Sequence, residues 1–481
     1  MIFNSLTYIL LLFLVVALYW SLPYKARLIL IFISSLVFYG FWKISFIPIL
    51  LISVIVDWWV AQKIYKCQKK HRFSLLLISL TTNLGLLVYF KYLIFFANNA
   101  LGFANLLGAE IDPIALKIIL PLGISFYTFQ TISYTVDVYR GFIKPEKDFI
   151  LFACYVTFFP QLVAGPILRA KEVIPQFVNR SSFSLDHLMI GLRFILFGLF
   201  LKVVLADNIS ILVDRGFIIN VADLSAIDVW TLAFLFGFQI YFDFSGYSYI
   251  AIGSARMMGI VFPNNFNFPY ISSSPKEFWQ RWHISLSSWI RDYLYLPLNK
   301  KKVENRSVGG FKKSLKSSGS NKSLFITWGI MGLWHGANWT FVIWGIYHAI
   351  LISIYRFIEP SKRNLSHRLR SFLGIIITIP LIMLSWIPFR ANSLSDSIEM
   401  WLKVINPFAY LWLGMRENVY LITFLILLNF YLVYLFKEKI IPKLNSKKLI
   451  TISLDIVLIT IIFSTVVIFF RSINQFIYFQ F

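Results

Sequence analysis

The sequence predicts an all-α, polytopic integral membrane protein with roughly 11–13 transmembrane or re-entrant helices. Three observations carry that prediction. Of 481 residues, 58% are hydrophobic and only 14% charged, against about 25% charged in a soluble domain. The apolar residues fall in blocks of about 20, the length that spans a bilayer. The basic residues collect in short segments between those blocks, which is the positive-inside pattern. A net charge of +23 in a soluble protein would suggest nucleic acid. Here its placement points to a cytoplasmic face and to anionic lipid headgroups, so nucleic acid is not expected as a partner.

Apolar spans are predicted near 6–22, 28–45, 46–61, 74–96, 115–138, 150–166, 187–206, 228–255, 324–357, 371–389, 419–436 and 450–470. The first, from Leu6 to Trp20, has no basic segment before it and no small-residue cleavage site after it. It reads as a retained first transmembrane helix and not as a signal peptide. No soluble domain interrupts the series, so 1–481 is read as a single transmembrane unit.

Lys25 and Arg27 form the first basic loop, "KIYKCQKKHR" (63–72) the second, and Arg140 to Lys147 the third. Two spans separate each pair, which places all three in the cytoplasm and the N-terminus outside. The loop 97–113 carries Glu110 and Asp112 without Lys or Arg, as an outer loop should. "NKKKVENRSVGGFKKSLKSSGSNK" (299–322) reads as a flexible basic cytoplasmic loop. Strict counting of spans puts it outside, so a crossing or re-entrant element is expected before it. "KRNLSHRLR" (362–370) and "KEKIIPKLNSKK" (437–448) read as cytoplasmic too. Cys67 and Cys154 are far apart and fit neither a zinc motif nor a disulfide framework.

The block 324–357 contains "GLWHGANWTFVIWGIYHA" (332–349). Both its flanks are basic and cytoplasmic, yet 324–333 is too short to cross alone at about 1.5 Å per residue. His335 is therefore expected at a turn or break inside the membrane, between Gly332 and Gly336. Irregular backbone at that depth must line a cavity or be enclosed by protein.

A second unusual stretch, 263–300, mixes aromatic, polar and charged residues. Pro275 is expected to open a helix capped by Ser273 or Ser274, with Lys276 and Glu277 in its first turn. Continued as one helix, it would place Trp279, Trp282 and Trp289 near one face and Arg281, Ser285, Ser288 and Asp292 on another. Such a helix would lie at the interface or dip into the membrane, against the rest of the protein.

Of six histidines, His71 and His367 lie in basic loops and His187 follows Asp186 at a helix start. His283, His335 and His348 sit among aromatic residues at membrane depth, where an ionisable group is a functional-site candidate by default. A neutral imidazole can take a proton from a hydroxyl and return it to a leaving group. Asn338, Trp339 and backbone amides near Gly336 are candidate donors to a developing oxyanion. The structural alternative for each histidine is a hydrogen bond to a neighbouring carbonyl. HExxH, P-loop and dinucleotide fingerprints are absent. "DFSGYS" (243–248) is not a G-x-S-x-G nucleophile site. Asp243 and Ser245 are read as helix-packing groups, or as lining of a tunnel. Asp57 and Asp137 are given paired structural roles.

Five segments, "FPQLVAGPILR" (159–169), "YFDFSGYS" (241–248), "PNNFNFPY" followed by "EFWQRWHISLSSWIRDYLYLPL", "GLWHGANWTFVIWGIYH" and "WIPFRANSLSDS" (386–397), together with the terminal "FIYFQF", resemble the membrane-bound O-acyltransferase family. The order resembles the bacterial branch that contains the membrane subunit of alginate O-acetylation. The resemblance covers most of the chain and implies a helical membrane enzyme enclosing an acyl-transfer tunnel. It implies that His335 is the required histidine and His283 the second polar position. Asn338, Trp334, Trp282, Arg281, Asp292 and Asp243 are the implied substrate or tunnel residues; no metal and no bound cofactor are expected. The implied donor is cytoplasmic acetyl-CoA. The implied partners are an extracytoplasmic acetyltransferase or small membrane protein, and a polysaccharide acetylated directly or through it. The implied location is the bacterial cytoplasmic membrane. Related members act in peptidoglycan acetylation and in D-alanylation of teichoic acid, which remain alternatives, as does a glycan-precursor transporter.

Overall fold

The computed structural model describes residues 1–481 except 117, 164, 180–181, 301–306, 309–319, 360–365, 441, 443–447, 471–475 and 478–481. Most of the predicted basic loop 299–322, and parts of 362–370, 437–448 and the terminal "FIYFQF", therefore lie outside the described residues.

The described secondary structure is helical throughout. α1 (Leu6–Ser21) opens on Ser5, whose hydroxyl accepts the Tyr8 amide. α2 (Tyr24–Gly40) and α3 (Ile47–Lys66) follow. α4 (Arg72–Leu87) runs through a π-helical turn (Val88–Tyr92) into α5 (Leu93–Leu106). Next come α6 (Ile124–Tyr139), α7 (Phe149–Thr157), α8 (Phe159–Leu162) and α9 (Ala170–Val178). α10 (Leu185–Leu199) passes through a second π turn (Phe200–Ala206) into α11 (Asp207–Ile218). α12 (Ala226–Met257) begins with a reciprocal cap between Ser225 and Asp228. α13 (Pro275–Arg281), α14 (Ile284–Ile290), a π turn (Arg291–Tyr295) and α15 (Leu296–Leu298) are short. The last third holds α16 (Asn321–His335), α17 (Trp339–Ile358), α18 (His367–Ser385), α19 (Ile387–Arg390), α20 (Leu394–Ile405), α21 (Glu417–Leu435) and α22 (Lys448–Phe469).

Among the described residues, seven helical stretches are long and apolar enough to cross a membrane: Ile44–Lys66, Lys69–Leu106, Leu185–Ile218, Ala226–Met257, Trp339–Ile358, Arg368–Arg390 and Glu417–Ile440. Leu6–Ser21 and Asp455–Phe469 are shorter apolar helices. In Ala226–Met257 the most apolar window is 83% buried, against 6% in Glu417–Ile440. α12 is thus an inner helix, and α21 presents its apolar surface outward, as a lipid-facing helix does. α1 lies along α12: the Tyr8 hydroxyl donates to Ser254 at 2.8 Å, and the Trp20 indole N–H donates to the Met257 carbonyl at 3.0 Å.

Two predicted spans and the predicted interfacial helix come out differently. In 115–138 the helix starts only at Ile124. Pro121 precedes it, and Gly123 sits at φ 70° against the Leu162 carbonyl, where a Cβ would come within 2.3 Å. In 150–166, α7 ends after nine residues, and Pro160 opens the separate turn α8. In 263–300, the single helix is broken at Trp282–His283, because His283 takes a left-handed backbone conformation at φ 40°. The expected cap is present, with the Ser274 hydroxyl accepting the Glu277 amide at 3.1 Å. Trp279, Trp282 and Trp289 are all buried, but on two helices instead of one face.

The two ends of the basic loop meet. Asn299 Oδ1 accepts the Ser320 amide at 2.7 Å, and the Ser323 hydroxyl donates to the Leu298 carbonyl at 3.2 Å. The third basic segment adjoins the residue just before the second, through Gln62 Nε2 donating to the Glu146 carbonyl at 2.5 Å. Both cysteines are free.

Candidate active site

α16 and α17 form an antiparallel hairpin. A Cβ on Gly345 would lie 2.1 Å from the Trp328 carbonyl oxygen, so glycine is what lets the two backbones approach. α16 stops at His335; Gly336 is extended, and Asn338 caps α17 by accepting the Thr340 amide at 3.1 Å. The break expected at His335 is therefore present.

The His335 side chain ends in an aromatic box. Its ring centroid lies 4.9 Å from Trp334, 4.8 Å from Trp344 and 5.1 Å from Phe389, each close to edge-on. Residue exposure is 4%, so bulk water does not reach the imidazole in this state. His283, His348 and the Lys91 ammonium lie within electrostatic reach of it.

His283 is fully buried and held by Asn265. Asn265 Oδ1 accepts the Ser285 amide at 3.2 Å and the Ser285 hydroxyl at 2.8 Å, which identifies it as the oxygen. His283 Nδ1, 3.1 Å from the same atom, is therefore the protonated nitrogen. Nε2 keeps its lone pair and has no hydrogen-bond partner among the described residues. Trp334 touches both histidines, with its ring 6.3 Å from His283. Left-handed backbone is costly for a residue with a Cβ. Here it turns the chain so that α13 and α14 meet at the imidazole.

His348 is placed differently. Its Nδ1 accepts the Trp279 indole N–H at 3.4 Å, so its basic nitrogen is already engaged. Trp328 stacks on it at 5.2 Å, and Trp344 lies 4.8 Å away. That is a structural histidine in a tryptophan cage.

A row of rings leaves the His335 box. Trp334 stacks on Phe129 at 5.5 Å and 14°, and Phe129 on Trp289 at 3.9 Å and 9°. Trp289 then leads to Tyr293 at 5.1 Å. At the far end the charges gather. Asp292 is paired with Arg169 at 2.5 Å and with Arg291 at 2.6 Å. The guanidinium groups of Arg140 and Arg169 lie over the Tyr293 ring at 5.3 and 5.4 Å, and the Tyr293 hydroxyl donates to Asp137 at 2.9 Å. Burial pushes the Asp292 carboxyl up, but the hydrogen bond from Arg291 and the charge of Arg169 outweigh it and hold it below its ordinary value.

The remaining sequence candidates divide. Trp282 is buried between Phe266 at 5.1 Å and Trp386 at 4.9 Å, and Trp386 in turn adjoins Trp344. Arg281 is not brought to the histidines: it pairs with Glu277 one turn back at 2.9 Å and is partly exposed. Asn338 is an exposed helix cap whose side-chain oxygen accepts the Thr340 amide. Asp243 pairs with Lys202 at 2.6 Å and accepts the Ile477 amide at 2.8 Å, tying α12 to the π turn and to the C-terminal segment. Its neighbour Phe244 meets His283 edge-on at 4.6 Å. Ser245 is buried on the same helix. Asp57 is held by Ser79, Thr135 and Asn83, a structural pin of α3, α4 and α6. Among the described residues no three His, Cys, Asp or Glu side chains gather to hold a metal ion.

Sequence reasoning missed Asn265, Lys91, Tyr92, Phe129, Trp386 and Phe389. Lys91 had a signal of its own, as the single charged residue in the apolar block 74–96, and Asn265, Trp386 and Phe389 lie within segments that carry the family resemblance. For Phe129 there was none, since a buried phenylalanine in an apolar helix has no special spacing.

The model of the membrane-bound O-acyltransferase family matches residues 144–387, which contain α7 to α18 with His283, His335 and His348. The chain is 36% identical to the probable alginate O-acetylase AlgI of Azotobacter vinelandii over 83% of its own length and 77% of that protein's. It is 35% identical to the peptidoglycan O-acetyltransferase of Helicobacter pylori, over 76% of this chain and 72% of that one. With the teichoic acid D-alanyltransferase of Bacillus subtilis the identity is 32%, over 53% of this chain and 65% of that one.

Proposed function

The chain belongs to the membrane-bound O-acyltransferase family and is a multi-pass membrane O-acyltransferase; from that premise we propose that it moves an acetyl group from cytoplasmic acetyl-CoA for O-acetylation of an extracytoplasmic polysaccharide. The observation that carries this reading is the pair of buried histidines, His335 and His283, meeting at Trp334 where α16 is interrupted.

His335 acts as the general base. It takes the proton of an acceptor hydroxyl as that oxygen attacks the thioester carbonyl carbon. The C–O ester bond forms, the C–S bond breaks, and the proton passes to the departing thiolate, giving free CoA thiol. His283, fixed by Asn265, keeps an Nε2 lone pair that accepts from a second, neighbouring hydroxyl of the acceptor and so orients it beside His335. The row Tyr293–Trp289–Phe129–Trp334 supports a donor route. It begins beside Arg140, a cation suited to phosphate, and ends at His335. Arg140 also opens the basic segment 140–147, which favours the cytoplasm for that end. The N-terminus is then outside, in the cytoplasmic membrane of a bacterium. On the outer side the acetyl group passes to a partner transferase or small membrane protein, or directly to the glycan.

The acetyl group and a polysaccharide acceptor are common to the names of the first two relatives. D-alanyl transfer is the second reading, supported by the third relative's name and ranked second by the shorter match to it. A precursor transporter does not fit an O-acyltransferase.

The test is acetyl transfer from radiolabelled acetyl-CoA in membranes that contain this protein, with and without extracytoplasmic components, for wild type and His335→Ala at matched expression. Label that depends on wild type and vanishes in the variant supports the reading. Unchanged label in the variant removes His335 as the base. Transfer only from a carrier-protein thioester moves the reading to D-alanylation.

A further inference from the structure

A helix that ends in an apolar setting has a problem that water solves elsewhere: its last four carbonyls have no intrahelical partner. α16 ends this way, with Gly336 extended and no backbone amide folding back to cap it. The missing donors come from the neighbouring rod. Lys91 Nζ donates to the carbonyls of Trp334 at 2.6 Å and His335 at 3.1 Å, and the Tyr92 hydroxyl donates to that of Leu333 at 2.9 Å. Three successive carbonyls of the final turn are thus held by two successive side chains.

Those two side chains project together because α4 does not run regularly into α5. Lys91 and Tyr92 close the π-helical turn Val88–Tyr92, an insertion of a kind that concentrates at functional sites. Lys91 has no carboxylate partner among the described residues. An ammonium kept at membrane depth without a counter-ion is expensive. At a helix C-terminus, the carbonyl dipoles offset part of that cost. The same ammonium lies 6.0 Å over the Trp334 ring, the ring shared by His335 and His283.

We propose that Lys91 and Tyr92 are positioning residues for acyl transfer: they lock the last turn of α16 so that the His335 imidazole is held where the acceptor hydroxyl arrives. This rests on His335 being the base. A loosened last turn lets the imidazole wander by about 1 Å, which costs on the order of 100-fold in rate while substrate binding is little changed.

The test measures kcat and KM for the thioester donor per folded molecule, with folding checked by monodispersity in detergent. Lys91→Met is expected to lower kcat about 100-fold with KM within about threefold. Lys91→Arg, which keeps the charge and the donors, is expected to recover most of the rate. Tyr92→Phe, which loses one hydrogen bond, is expected to fall about five- to tenfold. A role in stability alone would lower the yield of folded protein and leave kcat per folded molecule unchanged, which overturns the proposal. So would Lys91→Met matching wild type while His335→Ala is dead, an outcome that leaves the base reading standing. An active His335→Ala overturns the base reading and this inference with it. If Lys91→Met does not fold, Tyr92→Phe decides: unchanged kcat overturns the proposal, and a fall at constant KM supports it.

Discussion

The two ends of the ring row are built on opposite principles. At one end, Arg169, Arg291, Asp292, Asp137 and Tyr293 satisfy one another through ion pairs and a hydrogen bond. At the other, His283 presents a bare Nε2 in a fully buried site, and His335 stands among rings. A buried charge pair left half-made destabilises the fold, so the first end is built to be complete. The proposed mechanism needs an imidazole with a lone pair for the acceptor, and His283 Nε2 is such a nitrogen. The difference separates groups whose loss should be felt in stability from groups whose loss should be felt in rate.

Four substitutions test that division, in falling order of expected effect. His335→Ala should lower acyl transfer by about 100- to 10,000-fold, the range for a lost general base, with the unfolding midpoint in detergent close to wild type. Asp292→Asn should do the reverse and destabilise the fold by about 3–5 kcal/mol, as breaking a buried pair does, read by thermal unfolding. The same pair carries a pH signature. The Asp292 carboxyl is held below its ordinary value, so its contribution is present above the ordinary carboxylate range and is lost as pH falls through the lower folded value. Melting curves at falling pH should show that loss in wild type and not in Asp292→Asn. Asn265→Ala strips His283 of its orienting acceptor and should cost about tenfold in kcat, the equivalent of about 1.4 kcal/mol. If it instead lowers only the melting temperature, His283 belongs with the satisfied end. Arg281→Ala should change stability by less than about 1 kcal/mol, as expected for a partly exposed i, i+4 pair, and leave transfer unchanged. A large loss of activity there would return Arg281 to the site.

Much of this was legible in the chain. The alternation of apolar blocks with basic segments gave the membrane class, and the length of 324–357 with basic residues on both flanks placed the break at His335. The spacing could not place what crosses between helices. Trp279, Trp282 and Trp289 read as neighbours on one helix, whereas a left-handed His283 splits them. Asn338 reads as an oxyanion donor, and packing shows its side-chain oxygen accepting the Thr340 amide as the α17 cap. Phe129 and Trp334 are about two hundred positions apart, and only packing stacks them.

By itself the sequence determined the helical membrane architecture, because solvation of backbone and side chains in lipid depends on composition and length. It also singled out His335 as the candidate base to test, because the motif around it is local. The tertiary structure decided the rest: which polar groups are satisfied and which stay open, and how Lys91 and Tyr92 reach carbonyls some 240 positions along the chain. Hydrogen bonds and ring contacts act within a few ångströms in space. Distance along the chain carries no record of that closeness, so the completed end and the open end of the row become distinct only once the helices have packed.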